Sequence, residues 1–281
     1  MHSERGECGE VVPVIYPGLT LPMAVHAPGD FISDALRAKG WWSQRDFKLY
    51  NALLKPGDFF VDVGAHIGLY TLYAAHKVGG QGKVIAIEPE PKNFELLLNN
   101  IRLSNFPQIE PINAAVGVEE GRGNLYMSPT NSGDHYLSSG VPDEVREQKS
   151  VRVTTIDRIL MRFDKGPKLV KMDIQGTEMS ALAGMKKTLA AHQPLLLIEF
   201  APGLMLRAGD SPFEFFAFIE KNKYLPYRIL DDFHTGPLLE VVTVQSLLEF
   251  TQQQRTSDVG WDLLLVPQEK HTALVPLLRA L

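Results

Sequence analysis

The sequence predicts an α/β fold in which a mostly parallel sheet of about seven strands is flanked by helices. The first observation behind this prediction is the alternation of short apolar segments with longer amphipathic ones, because helical crossovers connect parallel strands. The second is size, since 281 residues, 44% of them hydrophobic, suffice for a doubly wound sheet. The third is a set of polar residues, mostly acidic, at the carboxyl ends of the predicted strands.

The regular alternation begins after a turn at Pro56 and Gly57. The predicted elements are strands over 59–63, 83–88, 109–116, 168–174, 194–200, 224–230 and 261–267, and helices over 67–78, 91–104, 177–191, 212–222 and near 244–253. Because strands separated by helices pair in parallel through right-handed crossovers, this order predicts a single sheet.

Two parts of the chain do not follow the alternation of strands and helices. After Gly117, the segments GRGNLYM and SVRVTTI indicate two strands that flank a polar loop over 128–149, and a loop of this length is usually functional or disordered. Residues 1 to about 30 are rich in Pro and Gly and predict an irregular arm, which a helical lid follows. We therefore expect an N-terminal extension over 1–54 and a ligand-binding domain over 55–281 that carries the inserted loop 128–149.

Composition narrows the class of protein. A net charge of −5 provides no broad basic surface, so no nucleic-acid partner is expected. The single cysteine, Cys8, forms neither an internal disulfide nor a cysteine metal cluster, which fits a cytoplasmic setting. The N-terminus lacks the apolar core of a signal peptide, and the longest apolar run, PLLLIEF, is too short to cross a bilayer, so no membrane partner is expected. The oligomeric state stays open.

The segment FFVDVGAHIGLYT is the most informative part of the chain. An apolar strand runs into Asp62, and Gly64 and Gly68 then open a turn into a helix. A dinucleotide-binding loop offers glycine backbone and a helix N-terminus to a pyrophosphate, which a carboxylate at this place would repel. The acid suits a ligand with positive charge, and S-adenosylmethionine carries both an ammonium and a sulfonium group. We expect Asp62 to bind that ammonium directly or through water.

Glu88 ends the next predicted strand, where an acid accepts both ribose hydroxyls of a nucleoside. An acid at this position would bind the ribose of NAD and the ribose of S-adenosylmethionine equally well. The spacing between Gly64 and Gly68 contains no GxGxxG motif, and no clear catalytic Tyr and Lys pair is visible, so an NAD-dependent oxidoreductase is the weaker alternative. A non-catalytic protein that binds S-adenosylmethionine also stays open.

The carboxyl ends of parallel strands meet at one edge of a sheet, where ligands bind. The residues at or near these ends are Asp62, Glu88, Asn113, Asp173 and Glu199. Four of these five side chains are carboxylates, and converging charges of one sign require a cation or hydrogen-bond donors nearby.

Several segments in this order and spacing resemble the FkbM family of S-adenosylmethionine-dependent methyltransferases. They are FVDVGAHIGLYT, IEPEPKNFELLLNNI, NAAVG, VRVTTIDRI, KLVKMDIQGTEMSALAGM and LLLIEF, within residues 48–200. The resemblance implies a Rossmann-like class I methyltransferase fold. It also implies O-methylation of a hydroxyl group on a small molecule, a sugar or a polyketide-type product.

The resemblance further implies roles for individual residues. It places Asp62, Gly64 and Gly68 at the methionine end of the cofactor, and Glu88 on its ribose. It places Asn113 or Ala114 beside the adenine, and Asp173 near the reacting centre. This chain has His66 where the family often has Asn, and Gln175 where it often has Glu. We expect His66 to shape the cofactor pocket, and we transfer no catalytic role to Gln175.

Methylation of a hydroxyl requires removal of its proton, by a general base or with the help of a metal. His135, in the long loop, is the leading candidate for the base because imidazole titrates near neutral pH; the alternative is a solvent-exposed histidine without a role. Asp173, Glu178 and Glu199 form a possible ligand set for Mg²⁺ or another hard cation. Glu178 is also explained by its place at the start of a helix, so a metal requirement stays open.

Overall fold

The computed structural model describes residues 9–138, 147–230 and 238–280. The strands are β1 (Val11–Tyr16), β2 (Leu19–Ala24), β3 (Phe59–Val63), β4 (Lys83–Ile87), β5 (Ile109–Ile112), β6 (Ala115–Val116), β7 (Gly121–Tyr126), β8 (Tyr136–Ser138), β9 (Gln148–Thr154), β10 (Leu169–Met172), β11 (Leu195–Phe200), β12 (Tyr224–Ile229), β13 (Leu239–Val241) and β14 (Trp261–Pro267). The helices are α1 (Phe31–Lys39), α2 (Gln44–Leu53), α3 (Leu69–Val78), α4 (Pro91–Ser104), α5 (Ile156–Leu160), α6 (Glu178–Ala183), α7 (Lys186–His192), α8 (Pro202–Ala208), α9 (Pro212–Lys221), α10 (Val244–Gln254) and α11 (Gln268–Ala280).

The central sheet has the strand order β13-β12-β14-β11-β10-β3-β4-β5 within the described ranges. The five strands from β11 to β5 are parallel, and β14, β12 and β13 are antiparallel additions at the other edge. All of the predicted core strands are present in this sheet, and the short strand β13 extends it. The predicted α/β fold with a mostly parallel sheet is confirmed.

The sheet buries apolar residues on both faces, as expected for a doubly wound arrangement. Strand β3 is buried along its whole length, and its side chains alternate between two cores. Phe60 packs with the core formed by helices α2 and α3, whereas Phe59, Val61 and Val63 pack with the core on the opposite face. Since side chains two residues apart share a face, Asp62 lies on the same side as Phe60.

The predicted strand over 109–116 is divided in two. Strand β5 belongs to the central sheet, whereas β6 pairs with β9 in a separate four-stranded sheet of order β6-β9-β7-β8. The chain turns at Asn113, whose side-chain amide donates hydrogen bonds to the carbonyl oxygens of Glu88 and Pro89 at 2.9 and 3.2 Å. The two strands predicted around the inserted loop are β7 and β9. Within that loop, residues 139–146 lie outside the described residues.

The N-terminal arm differs from the irregular segment expected here. Strands β1 and β2 form an antiparallel hairpin, and its turn contains Gly18 at φ +74°. Along β1, Val12, Val14 and Tyr16 alternate with exposed residues and pack in the same core as α3. The high Pro and Gly content of this segment therefore marks a tight hairpin turn rather than an absence of structure.

The helix predicted over 177–191 is two helices, α6 and α7, separated at Gly184. A Cβ at Gly184 would lie 2.1 Å from the carbonyl oxygen of Gly117, so this glycine permits a close backbone approach that ends the first helix. Helices α5, α8 and α11 were not predicted. No helix within the described ranges is both long and apolar enough to cross a membrane.

Candidate active site

A cavity of ≈ 370 Å³ lies at the carboxyl ends of the parallel strands. The predicted site residues that line it are Gly64, His66, Glu88, Ala114, His135, Asp173 and Glu199. The predicted site residues outside its lining are Asp62, Gly68, Asn113 and Glu178. The cavity therefore lies at the predicted edge of the sheet, where some of the predicted residues face it and others lie outside its lining.

The turn between β3 and α3 depends on two glycines with left-handed backbone. Gly64 has φ +81°, and a Cβ there would lie 2.1 Å from the carbonyl oxygen of Asp173. Gly68 has φ +99°, and a Cβ there would lie 2.8 Å from a methyl carbon of Leu97. The left-handed backbone favours glycine at both positions, and at Gly64, which borders the cavity, a Cβ would also collide with backbone.

Asp62 is fully buried under this turn. Its Oδ2 accepts a hydrogen bond from the Thr71 hydroxyl at 2.6 Å, and its Oδ1 lies 3.6 Å from the Lys171 ammonium. Oδ1 has no hydrogen-bond partner among the described residues. Burial raises the pKa of Asp62, and the charge of Lys171 opposes that shift. Because Asp62 does not line the cavity, it lacks the direct access to a ligand ammonium that the sequence predicted.

Lys171, on β10, lines the cavity beside Asp62. Its Nζ lies 3.4 Å from Oδ2 of Asp173 and 3.4 Å from the carbonyl oxygen of Gly64. The same ammonium lies over the face of the Tyr70 ring, with Nζ 5.1 Å from the ring centre, in a cation–π contact. Burial alone would lower the pKa of Lys171, but Asp173 and Asp62 raise it above its ordinary value. The lysine is therefore a buried positive charge at the cavity wall.

Glu88 follows β4 and presents its carboxylate to the cavity. Its Oε2 accepts the backbone N–H of His66 at 2.9 Å, and its Oε1 accepts the N–H of Glu90 at 2.9 Å and the Asn93 amide at 3.3 Å. Burial raises the pKa of Glu88 to about 7, against these donors. A carboxylate offers about four lone-pair sites, so these three donors leave capacity for another.

His66 connects the glycine turn to the inserted loop. It has φ +52°, and its Nε2 lies 2.6 Å from the Ser132 hydroxyl. Burial, followed by the charge of His26, lowers the pKa of His66 to about 3, so the ring is neutral. Asn93 donates to the carbonyl oxygen of Ser132 at 3.0 Å, and the N–H of Ser132 donates to Asp30 at 2.8 Å. Ser132 is thereby held beside Glu88.

The two candidates for the adenine border differ in position. Ala114 is buried and lines the cavity, whereas Asn113 is exposed and uses its amide to hold the backbone after β4. Of this pair, only Ala114 is placed to contact a ligand in the cavity.

His135 lines the cavity, as the strand-edge argument expected of the long loop. Its Nδ1 accepts the backbone N–H of Ser128 at 3.0 Å. A neutral imidazole with an acceptor at Nδ1 carries its proton on Nε2. Nδ1 of His135 is therefore engaged with the backbone of Ser128.

Asp173 and Glu199 lie on neighbouring strand ends and are joined by one amide. Nε2 of Gln175 donates to Oδ1 of Asp173 at 2.9 Å and to Oε2 of Glu199 at 3.0 Å. Burial, followed by the charges of Asp173 and Glu178, raises the pKa of Glu199 well above its ordinary value. Gln175 has φ +56°, and sequence reasoning gave it no role. Its polar side chain directly after a strand end was the signal for this bridging position.

Glu178 does not face the cavity. Its Oε1 accepts the backbone N–H groups of Ile174 and Gly176 at 3.1 and 3.3 Å, and burial raises its pKa to about 7. Among the described residues, no three His, Cys, Asp or Glu side chains converge as metal ligands. The predicted Mg²⁺ set of Asp173, Glu178 and Glu199 therefore has no counterpart there.

The end of the cavity near Glu199 contains a network of charged and tyrosine side chains that the sequence did not predict. Arg45 pairs with Asp46 at 3.0 Å and with Asp262 on β14, and the Tyr70 hydroxyl donates to Asp46 at 2.7 Å. Trp42 lines the cavity next to this network. Helix α2 and strand β14 are far apart in the sequence, so only the folded chain brings these side chains together.

The chain is similar to several known methyltransferases. "Methyltransferase 1" of Beauveria bassiana is 28% identical over 159 residues, which are 49% of this chain and 63% of that protein. "Ribosomal RNA large subunit methyltransferase E" of Legionella pneumophila is 35% identical over 81 residues, 26% of this chain and 39% of that protein. The chain thus spans less than two thirds of either relative. The crystal structure of a methyltransferase FkbM from Methylobacillus flagellatus shares 20% identity, with a TM-score of 0.47 over 79% of this chain and 50% of that one.

The sequence model described as "Methyltransferase FkbM domain" matches residues 62–250. This range starts at Asp62 and contains most of the cavity wall, from the glycine turn to Glu199. The resemblance that the sequence motifs indicated is therefore confirmed. The match covers more than half of the chain, and the chain belongs to the FkbM methyltransferase domain family.

Proposed function

We propose that this chain is an S-adenosylmethionine-dependent methyltransferase that methylates a hydroxyl group of a small molecule, a sugar or a natural product. The observation that carries the proposal is the joint placement of Glu88, the Gly64 turn and Asp173 around one cavity at the edge of the sheet. Membership of a methyltransferase family supports the reaction class.

The residues present fit the cofactor. Glu88 has capacity to accept one further hydrogen bond, from a ribose hydroxyl, and the apolar Ala114 lines the same cavity. The cavity volume of ≈ 370 Å³ lies within the range of small-molecule sites. When bound, S-adenosylmethionine would supply an electrophilic methyl group at this site.

The protein must also remove the proton of the acceptor hydroxyl. We propose Glu199 for this role, because it lines the cavity and burial makes its carboxylate a stronger base than an exposed one. Gln175 holds Glu199 through one oxygen, and Asp173 shares the same amide. His135 is the second candidate, since its Nδ1 is already occupied by Ser128.

The acceptor would enter beside Trp42 and the Arg45, Asp46 and Asp262 network, where polar and aromatic groups meet. Charged and aromatic side chains together suit a polar organic molecule, because they supply both hydrogen bonds and a stacking surface. A net charge of −5 disfavours a phosphate-rich acceptor, although one relative is named for ribosomal RNA.

Calorimetry with S-adenosylhomocysteine and with NAD tests the cofactor. Binding of S-adenosylhomocysteine with no binding of NAD is expected, and the reverse result would favour an oxidoreductase. Glu88→Gln should weaken binding about ten-fold or more, since it removes a charged acceptor of ribose hydroxyls. Exposed Glu240→Gln is the control.

Turnover is tested by mass spectrometry of products formed from S-adenosylmethionine with a panel of hydroxyl-bearing sugars, polyketides and ribosomal RNA. Methylation of a small hydroxyl compound supports the proposal, and methylation of RNA alone contradicts it. A protein that binds the cofactor tightly and methylates no acceptor would be a non-catalytic binder.

A further inference from the structure

We propose that Lys171 and Asp173 form a recognition site for the zwitterionic head group of the cofactor's methionine moiety, in which Lys171 binds the carboxylate and Asp173 the ammonium. Asp62 acts as a positioning residue that holds Lys171. This inference rests on the proposed function, because it names the groups that would bind the same cofactor. It also replaces the direct contact to Asp62 that the sequence suggested.

The Lys171 ammonium lies at the glycine turn, on the wall of the cavity. Nζ lies 3.4 Å from the carbonyl oxygen of Gly64, the first glycine of the turn, and the lysine lines the cavity. Glu88, at the end of the neighbouring strand, would hold the ribose. The Gly64 side of the cavity is therefore the place for the remaining part of the cofactor, which ends in an amino acid.

The Lys171 ammonium has no short hydrogen bond among its contacts with Gly64, Asp62 and Asp173. Its contacts with Gly64, Asp62 and Asp173 measure 3.4, 3.6 and 3.4 Å. Charge-assisted hydrogen bonds between such groups are usually about 2.7–2.9 Å long. Lys171 is thus placed mainly by charge, and a ligand carboxylate would replace one of these long contacts with a shorter one.

Asp62 supports Lys171 from outside the lining of the cavity. It is fully buried, it is held by Thr71, and its Oδ1 has no hydrogen-bond partner among the described residues. A buried carboxylate in this state is costly unless a cation compensates it, and Lys171 is that cation. Asp62 therefore fixes the ammonium at the cavity wall.

The charges of Lys171 and Asp173 are complementary to those of an amino acid head group. Lys171 and Asp173 place a positive and a negative group 3.4 Å apart on one wall, and the Asp173 side chain is 39% exposed. A zwitterion can place its negative group against Lys171 and its positive group against Asp173. A neutral or singly charged ligand cannot make both contacts. An amino acid head group has this arrangement of charges.

Calorimetry with two ligands tests the inference without an acceptor. The ligands are S-adenosylhomocysteine and its decarboxylated analogue, which keeps the ammonium and lacks only the carboxylate. We expect the unmodified protein to bind S-adenosylhomocysteine about ten-fold or more tightly than the analogue. Lys171→Met should remove this preference, with little change in affinity for the analogue.

Lys168→Met is the matched control. Lys168 pairs with Asp58 at 3.2 Å just before β10, whereas Lys171 pairs with Asp62 further along the same strand, at the cavity. The Lys168 variant should therefore keep the full preference for the carboxylate. Asp62→Asn, which loosens Lys171 without touching the ligand, should reduce the preference in part.

The outcomes separate this inference from the proposed function. If Lys171→Met lowers the affinity for both ligands equally, the inference is overturned and the methyltransferase proposal stays in place. If the unmodified protein binds neither ligand, both fall. Should Lys171→Met fail to fold because Asp62 is left unpaired, the double variant Asp62→Asn with Lys171→Met removes both charges. A retained preference for the carboxylate in that double variant would also overturn the inference.

Discussion

Glu199 on β11 stands directly opposite Asp262 on β14, and both side chains line the cavity. Like charges directly opposite each other in an antiparallel pair are destabilising unless one is neutral or a cation lies near. Burial, followed by the charge of Asp46, raises the pKa of Asp262 to about 6, with Arg45 opposing the shift. Burial also raises the pKa of Glu199 well above its ordinary value, so the pair holds a proton more readily than two separate acids would.

Glu199→Gln tests the role of this pair in catalysis. A base must be ionised, so turnover of the unmodified enzyme should rise with pH on a limb that lies above the ordinary range of a glutamate. The variant should lose about 10²-fold or more in kcat and should lose that limb. Affinity for S-adenosylhomocysteine should stay within about two-fold. A pH–rate profile with calorimetry on the same samples measures both quantities.

His135→Asn is the comparison for this prediction. Asn retains an acceptor for the Ser128 N–H and removes the imidazole. A small effect on kcat agrees with Glu199 as the base. Loss of the pH limb in the His135 variant, with the limb intact in Glu199→Gln, would transfer the role to His135.

Gln175→Leu should alter the pH dependence of turnover more than it alters cofactor binding. Its amide donates to Glu199, and a donor favours the ionised form of an acid. Without it, the pKa of Glu199 should rise and the rate limb should move to higher pH, with kcat about ten-fold lower near neutral pH. Gln193→Leu is the control, because Gln193 also has left-handed backbone at φ +41° but lies away from the cavity. An unchanged profile in Gln175→Leu would remove the residue from this positioning role.

The sequence predicted most of the central sheet, because each strand is a local apolar run whose length and flanking turns are visible without tertiary information. It also predicted the edge at which the cavity lies. The covering of Asp62 was missed. Lys171 lies beside Asp62 on the same face of the sheet and lines the cavity, whereas Asp62 is covered by Thr71 of α3, so a position near the strand end did not place it in the cavity.

Other parts of the site depend on contacts between distant segments. Arg45 meets Asp262 only because α2 packs beside β14, and no local pattern encodes that contact. The Gln175 bridge depends on β10 and β11 being neighbours. The N-terminal hairpin was missed for a different reason, since β1 has only six residues and contains Pro13, a residue type that disfavours strands.

Gly64→Ala should be much more destabilising than a matched glycine substitution. Gly64 and Gly57 have nearly equal φ values of +81° and +85°, so both variants incur the left-handed penalty of about 1–2 kcal/mol. Only at Gly64 would the new Cβ meet backbone, 2.1 Å from the Asp173 carbonyl oxygen, whereas nothing lies within 4 Å at Gly57. We expect a total loss of about 3 kcal/mol or more for Gly64→Ala. Urea unfolding of both variants measures the difference, and equal losses would contradict the packing argument.

Glu178→Gln should change how stability depends on pH. Burial raises the pKa of Glu178 from 4.5 to about 7 in the folded chain, so folding favours its protonated form. The stability from this preference is fully present below about pH 4.5 and is lost as pH rises through about 7. Glutamine stays neutral, and its Oε1 still accepts from Ile174 and Gly176.

The melting temperature of Glu178→Gln relative to the unmodified protein should therefore be higher at pH 8 than at pH 4. Thermal unfolding across this range measures the relative shift, which is independent of any constant cost of the substitution. Glu240→Gln, at an exposed position on β13, should show no such trend. Parallel curves for Glu178→Gln and the unmodified protein would mean that Glu178 is ionised in the folded chain with an ordinary pKa, and that backbone N–H groups outweigh its burial.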